Sequence, residues 1–63
     1  MQDFQLRVVD EYAELTAKIV ALRNFFLTET YKSLDPKEQD RMAKQSLTMF
    51  DYRDALRDRI ANF

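Results

Sequence analysis

Glycine, cysteine and histidine are all absent from this 63-residue chain, and its one proline is Pro36. Each absence removes a class of chemistry or structure. Without cysteine there is no disulfide and no thiolate nucleophile. Without histidine there is no imidazole base, and with both missing the commonest zinc ligands are gone. Without glycine, loops that cradle phosphate on closely approaching backbone are excluded. No apolar run reaches the roughly 20 residues that span a bilayer. The start, Met1-Gln2-Asp3-Phe4, lacks the basic and apolar regions of a secretory signal. Ten basic residues face eleven acidic ones, a formal net charge of −1, whereas a duplex-binding domain carries a basic excess to neutralise phosphates. Lack of cysteine also fits a reducing compartment. Composition thus predicts a soluble cytoplasmic protein with no cofactor, no metal, no duplex nucleic acid and no membrane partner.

What is present is helix-compatible sequence in two tracts. From Asp3 onward, Phe4, Val8, Tyr12, Leu15, Ile19, Leu22 and Phe26 fall on one helical stripe. This spacing predicts a helix over residues 3–28, with Asp3 as its N-cap and Glu14 placed to pair with Lys18 one turn on. Thr28 to Ser33 is rich in hydroxyl and β-branched residues, which compete poorly as helix formers. Residues 29–35 therefore read as a frayed end and a connection. Asp35-Pro36-Lys37-Glu38 restarts the chain: aspartate at the N-cap, proline at N1 and a glutamate placed to reach back. A second helix follows over 36–62, its seam made by Met42, Met49, Leu56, Ile60 and Phe63 and interrupted at Gln45 and Arg53. A short connection makes the two helices antiparallel neighbours, with positions summing to roughly 64–66 facing each other.

A single domain over 1–63 lies near the lower size limit for unaided folding. Its first helix carries a further apolar set, Leu6, Val9, Ala13, Val20 and Leu27, and one partner helix covers only one seam. The pattern therefore predicts an all-α, two-helix antiparallel hairpin that assembles into a symmetric homo-oligomer.

The densest charge pattern is Asp51 to Arg59, where Arg53 and Arg57 are like charges at i, i+4, as are Asp54 and Asp58. Two readings remain open. The rows could neutralise each other on a solvated face, helped by Asp10, Glu11 and Glu14 across the hairpin. Alternatively, symmetry could multiply an arginine row into a phosphate pocket, which guanidinium groups grip bidentately. Arg7 would join Arg57 and Arg59 at the end opposite the turn. The candidate ligand-binding residues are thus Arg7, Arg53, Arg57 and Arg59, and no catalytic set is evident. Phe25, Phe26, Phe50 and Tyr52 read as core and interface.

The run Phe4-x-x-Arg7-Val8-x-x-Glu11-x-x-Glu14-Leu15-x-x-Lys18-Ile19-x-x-Leu22 resembles a small helical hairpin of bacteriophages. Leu34, Glu38, Arg41-Met42, Gln45, Met49, Tyr52, Leu56, Arg59-Ile60 and Phe63 continue the likeness over nearly the whole chain. The family resembled is that of phage anti-CBASS and anti-Thoeris sponges. The resemblance implies a homo-oligomer, a hexamer, that sequesters cyclic oligonucleotide immune messengers in the host bacterial cytoplasm without catalysis. Larger members carry an extra N-terminal segment with a second, dinucleotide-type pocket, which is not expected in a chain beginning at the hairpin. The rival expectation is a helical-bundle interaction protein that binds and inhibits a host protein. A structural phage component is a third reading, and an enzyme is the least supported class.

Overall fold

The helix at the start of the chain is capped one residue earlier than its acidic residue suggests. In the computed structural model, which describes residues 1–63, Gln2 is the N-cap of α1 (Asp3–Phe25) and its backbone N–H donates to Gln5 Oε1 at 2.8 Å. Asp3 instead occupies the first helical position, where its charge still faces the positive end of the helix dipole. Glu14 and Lys18 do not pair; the ion pairs of the chain lie elsewhere.

The first helix ends at Phe25, not at 28. The reason lies in Thr28, whose hydroxyl donates to Phe25 O at 2.7 Å and accepts from Tyr31 N at 3.2 Å. That double use makes Thr28 the cap of a separate helical turn, α2 (Glu29–Lys32), closed at its far side by Ser33 Oγ donating to Thr30 O. The hydroxyl residues that argue against a helix in sequence here punctuate one.

The restart follows at α3 (Pro36–Ala61), with Asp35 at the N-cap accepting from Lys37 N at 2.8 Å and Pro36 at the first helical position. Glu38 does not reach back to the cap; it pairs with Arg41 one turn later at 3.0 Å. The residue that closes the bend is Gln39. Its side-chain amide donates to the carbonyls of Tyr31 at 2.9 Å, Leu34 at 3.2 Å and Lys32 at 3.3 Å, while the Tyr31 hydroxyl donates to Gln39 O. These bonds occupy the Lys32 and Leu34 carbonyls and add a second donor to that of Tyr31, which already accepts from Leu34 N. Tyr31 is fixed further by an edge contact with Phe25 and a tilted one with Phe26.

With the bend so held, α1 and α3 pack along each other as a hairpin, and no strand is present. Val8, Leu15 and Ile19 of α1 and Leu56 of α3 form the buried cluster, with Tyr12, Met49, Phe50 and Ile60 packed around it. Phe4 meets Phe63 edge-on at 6.1 Å where the two chain ends come together, a pairing slightly beyond the predicted register. On α3 the seam runs Met42, Ser46, Met49, Arg53, Leu56, Ile60, in steps of four and three residues, with Ser46 buried and Arg53 half-buried. Gln45 lies outside it, exposed. A serine carries no hydrophobic signal, so only packing reveals that 46 holds the seam position.

The molecule is a rod of 46 × 15 × 13 Å. Two helices side by side enclose a line, not a volume, and only four apolar side chains are buried. Leu6, Val20 and Leu27 of the second apolar set stay largely exposed, and so does Leu47 on α3 at 67%. No helix is long and apolar enough to cross a membrane.

Candidate functional site

The functional geometry starts from Phe50, a half-buried ring on the flank of the α3 seam. Arg53 lies one turn further along the same helix, which brings its guanidinium to 5.0 Å from the Phe50 centroid. Arg23, in the last turn of α1, reaches the same ring from the other helix at 6.0 Å. Two cations thus share one aromatic ring, so they lie no further apart than those two distances combined. Neither has a carboxylate partner: the ion pairs of the chain are Glu29–Lys32, Glu38–Arg41 and Asp54–Arg57.

Arg53 is the more unusual of the two. Its Nε is buried and makes no hydrogen bond. Leaving a donor in that state costs about 1–3 kcal/mol, more for a charged group, while a cation over a ring recovers about 0.5–2 kcal/mol. The arginine is therefore held on the seam without its full complement of acceptors, beside a second arginine.

Arg23 also borders a groove lined by Val20, Asn24, Phe26 and Leu27. The groove measures about 470 Å³, inside the roughly 300–1,000 Å³ range of small-molecule sites. It forms because α1 stops at Phe25 and the chain turns away into α2, leaving the side chains of the last turn uncovered on one side.

The four arginines singled out in the sequence separate into two places. Arg53 is on the seam, one turn before Arg57. Arg7, near the start of α1, and Arg57 and Arg59, near the end of α3, are exposed at the pole where Phe4 meets Phe63. Arg57 is engaged with Asp54 of its own helix at 3.2 Å, not with the α1 carboxylates. Arg53 likewise pairs with no carboxylate across the hairpin and spends its cation on Phe50. Arg23 is the residue that sequence reasoning missed. A signal was available: Leu6, Val9, Ala13, Thr16, Val20 and Leu27 step by three and four along α1 if position 23 is included, and Arg23 is the one charge in that row.

The sequence pattern of the Sequestin family matches residues 2–62. The chain belongs to the Sequestin family. A relative from Enterobacteria phage T4, described as an uncharacterized 7.5 kDa protein in the denB–rIIB intergenic region, is 35% identical over 63 residues, covering the whole chain and 98% of the relative. No solved structure matches this Sequestin-family chain. The likeness to the phage protein runs nearly the full length of both chains, and the family's name speaks of sequestration.

Proposed function

We propose that this Sequestin-family chain is a phage-encoded anti-defence protein that binds and sequesters cyclic oligonucleotide immune messengers, without catalysis, at the interfaces of a homo-oligomer. The observation that carries the reading is Arg53: a cation on the helix seam with a buried, unbonded Nε and no carboxylate partner. Its terminal guanidinium nitrogens make no hydrogen bond within the chain and gain from an incoming phosphate oxygen, because charge-assisted hydrogen bonds are the strong ones. The family name and the phage relative support capture of a target as the activity.

Symmetry supplies the rest of the reading. A near-neutral chain builds a locally basic cup when an axis repeats the same arginine, and a cyclic trinucleotide carries one phosphate for each of three copies. Arg7 and Arg59 are exposed and unpaired, and the exposed Arg57–Asp54 pair is of the kind worth a few tenths of a kcal/mol, which a phosphate can displace. We assign Arg7, Arg53, Arg57 and Arg59 to phosphate contacts on that basis. The uncovered Leu6, Val20 and Leu47 supply the apolar surface for self-association. Capture stops a signal by lowering its free concentration, so tight binding suffices.

Titration calorimetry against cyclic di- and trinucleotides tests the proposal. Heat with a stoichiometric break is expected for at least one, and silence across the panel at concentrations where the assembly persists removes it. The exposed apolar stripe also favours a second reading, a bundle that docks on a host protein. A stoichiometric protein recovered from host lysate, together with no small-molecule heat, would select that reading instead.

A further inference from the structure

We infer that the groove at the end of α1, together with Arg23 and Arg53, is a nucleotide half-site: the two guanidiniums take a phosphate, and the groove takes the attached base. The inference rests on the sequestration reading: it keeps Arg53 from that reading, adds Arg23, and extends the contact toward the bend.

Three observations converge there. The Arg23 and Arg53 guanidiniums approach one ring from different helices, and neither is neutralised by a carboxylate. A phosphate that reaches the outer guanidinium nitrogens answers charge that no carboxylate of the chain answers. Second, Arg23 belongs at once to this pair and to the wall of the groove, so a ligand bound by its phosphate has an adjoining recess. Third, the recess has the chemistry of a base site. Val20, Phe26 and Leu27 give apolar surface for a flat heteroaromatic ring, and Asn24 supplies both a donor and an acceptor for its edge. A bare phosphate would leave the recess empty, and an uncharged nucleoside would leave the arginines unanswered. The ligand class that satisfies both is a nucleoside phosphate, free or as one unit of a cyclic messenger. Phe50 orients the two cations and does not itself stack on the base, since its face is taken by Arg53.

The test uses the intact protein and three simple probes: AMP, inorganic phosphate and adenosine, each titrated while backbone, Asn24 amide and arginine Nε–H resonances are followed by NMR. AMP is expected to shift Val20, Arg23, Asn24 and Arg53 and to bind at least tenfold more tightly than either fragment. Arg23→Gln and Arg53→Gln should each weaken AMP binding about tenfold with helical circular dichroism unchanged. AMP shifts confined to Arg7, Arg57 and Arg59 would overturn the half-site and the use of Arg53, while the messenger panel would still decide whether the arginines at the pole capture a signal. No response to AMP, or Arg23→Gln binding it like the parent, would also overturn it. If AMP binds here but the messenger panel gives no heat, the half-site stands and the sequestration reading falls.

Discussion

The guanidinium of Arg53 sits 5.0 Å from the centroid of Phe50, one helical turn earlier on α3, with its Nε buried and unbonded. A lysine at 53 would lack the flat, weakly hydrated cation that tolerates this stacking. The contact explains how a charged residue occupies a seam position in so small a core. It also leaves a buried donor without a partner, a cost to stability that sits at a single residue.

Arg53→Met should therefore hold or raise the thermal midpoint while weakening messenger capture. Methionine keeps the stem volume and removes the orphaned donor, offsetting the lost cation–ring contact. A gain of 1 kcal/mol corresponds to about 4–8 °C in a domain of this size. Thermal melts with and without ligand check it; a midpoint many degrees lower would show that Nε is satisfied in solution.

Ile19 is 1% exposed and Leu56 2%. Truncating either to alanine should cost about 2–5 kcal/mol, enough to unfold so small a core. Leu47→Ala, at 67% exposure, should cost less than about 0.5 kcal/mol if the chain stays single. Urea melts of the three variants decide the order. A large loss at Leu47 would mean that its side chain is covered in solution.

Val20 and Leu47 offer a direct view of self-association, since both are exposed in the hairpin. Val20→Asp and Leu47→Asp place a charge on that surface without touching the buried cluster. Native mass measurement of the parent should give a multiple of 7.6 kDa, and the aspartate variants should shift toward the single chain while remaining helical. A parent that sediments as one folded chain at high micromolar concentration would contradict the assembly.

Gln39 closes the bend through three carbonyls. Gln39→Ala should cost roughly 1–2 kcal/mol, from hydrogen bonds worth about 0.5–1.5 kcal/mol each that water replaces only in part. Amide exchange should quicken at Leu34 and Ser33 before it does at Leu15. Unchanged protection around the bend would show that Asp35 and Pro36 hold it unaided.

Much of the fold was legible because its causes are local. The stripe from Val8 to Ile19 and the Asp35-Pro36 restart act through neighbours three or four positions away, and both stand where the spacing places them. The end of α1 was harder to see: Thr28 reads as a poor helix former, yet its hydroxyl bonds Phe25 O and caps the next turn, a role that depends on backbone geometry already in place. The sequence marks Arg53 through its break in the seam of α3, and Arg23 breaks the second apolar row of α1 in the same way, a signal that the reading of the charge pattern passed over.

By itself, the amino-acid order determined two helices, their approximate bounds, a second apolar row on the first, and the absence of any cysteine, histidine or glycine chemistry. Tertiary structure alone decided that Ser46 takes a seam position, that Gln39 ties the bend, and that Arg23 and Arg53 both approach the Phe50 ring. The division has a physical cause. Helix periodicity and capping are set by interactions within one turn, whereas which flank of α1 meets which flank of α3 is set by the bend's geometry and by close packing between residues far apart in the chain.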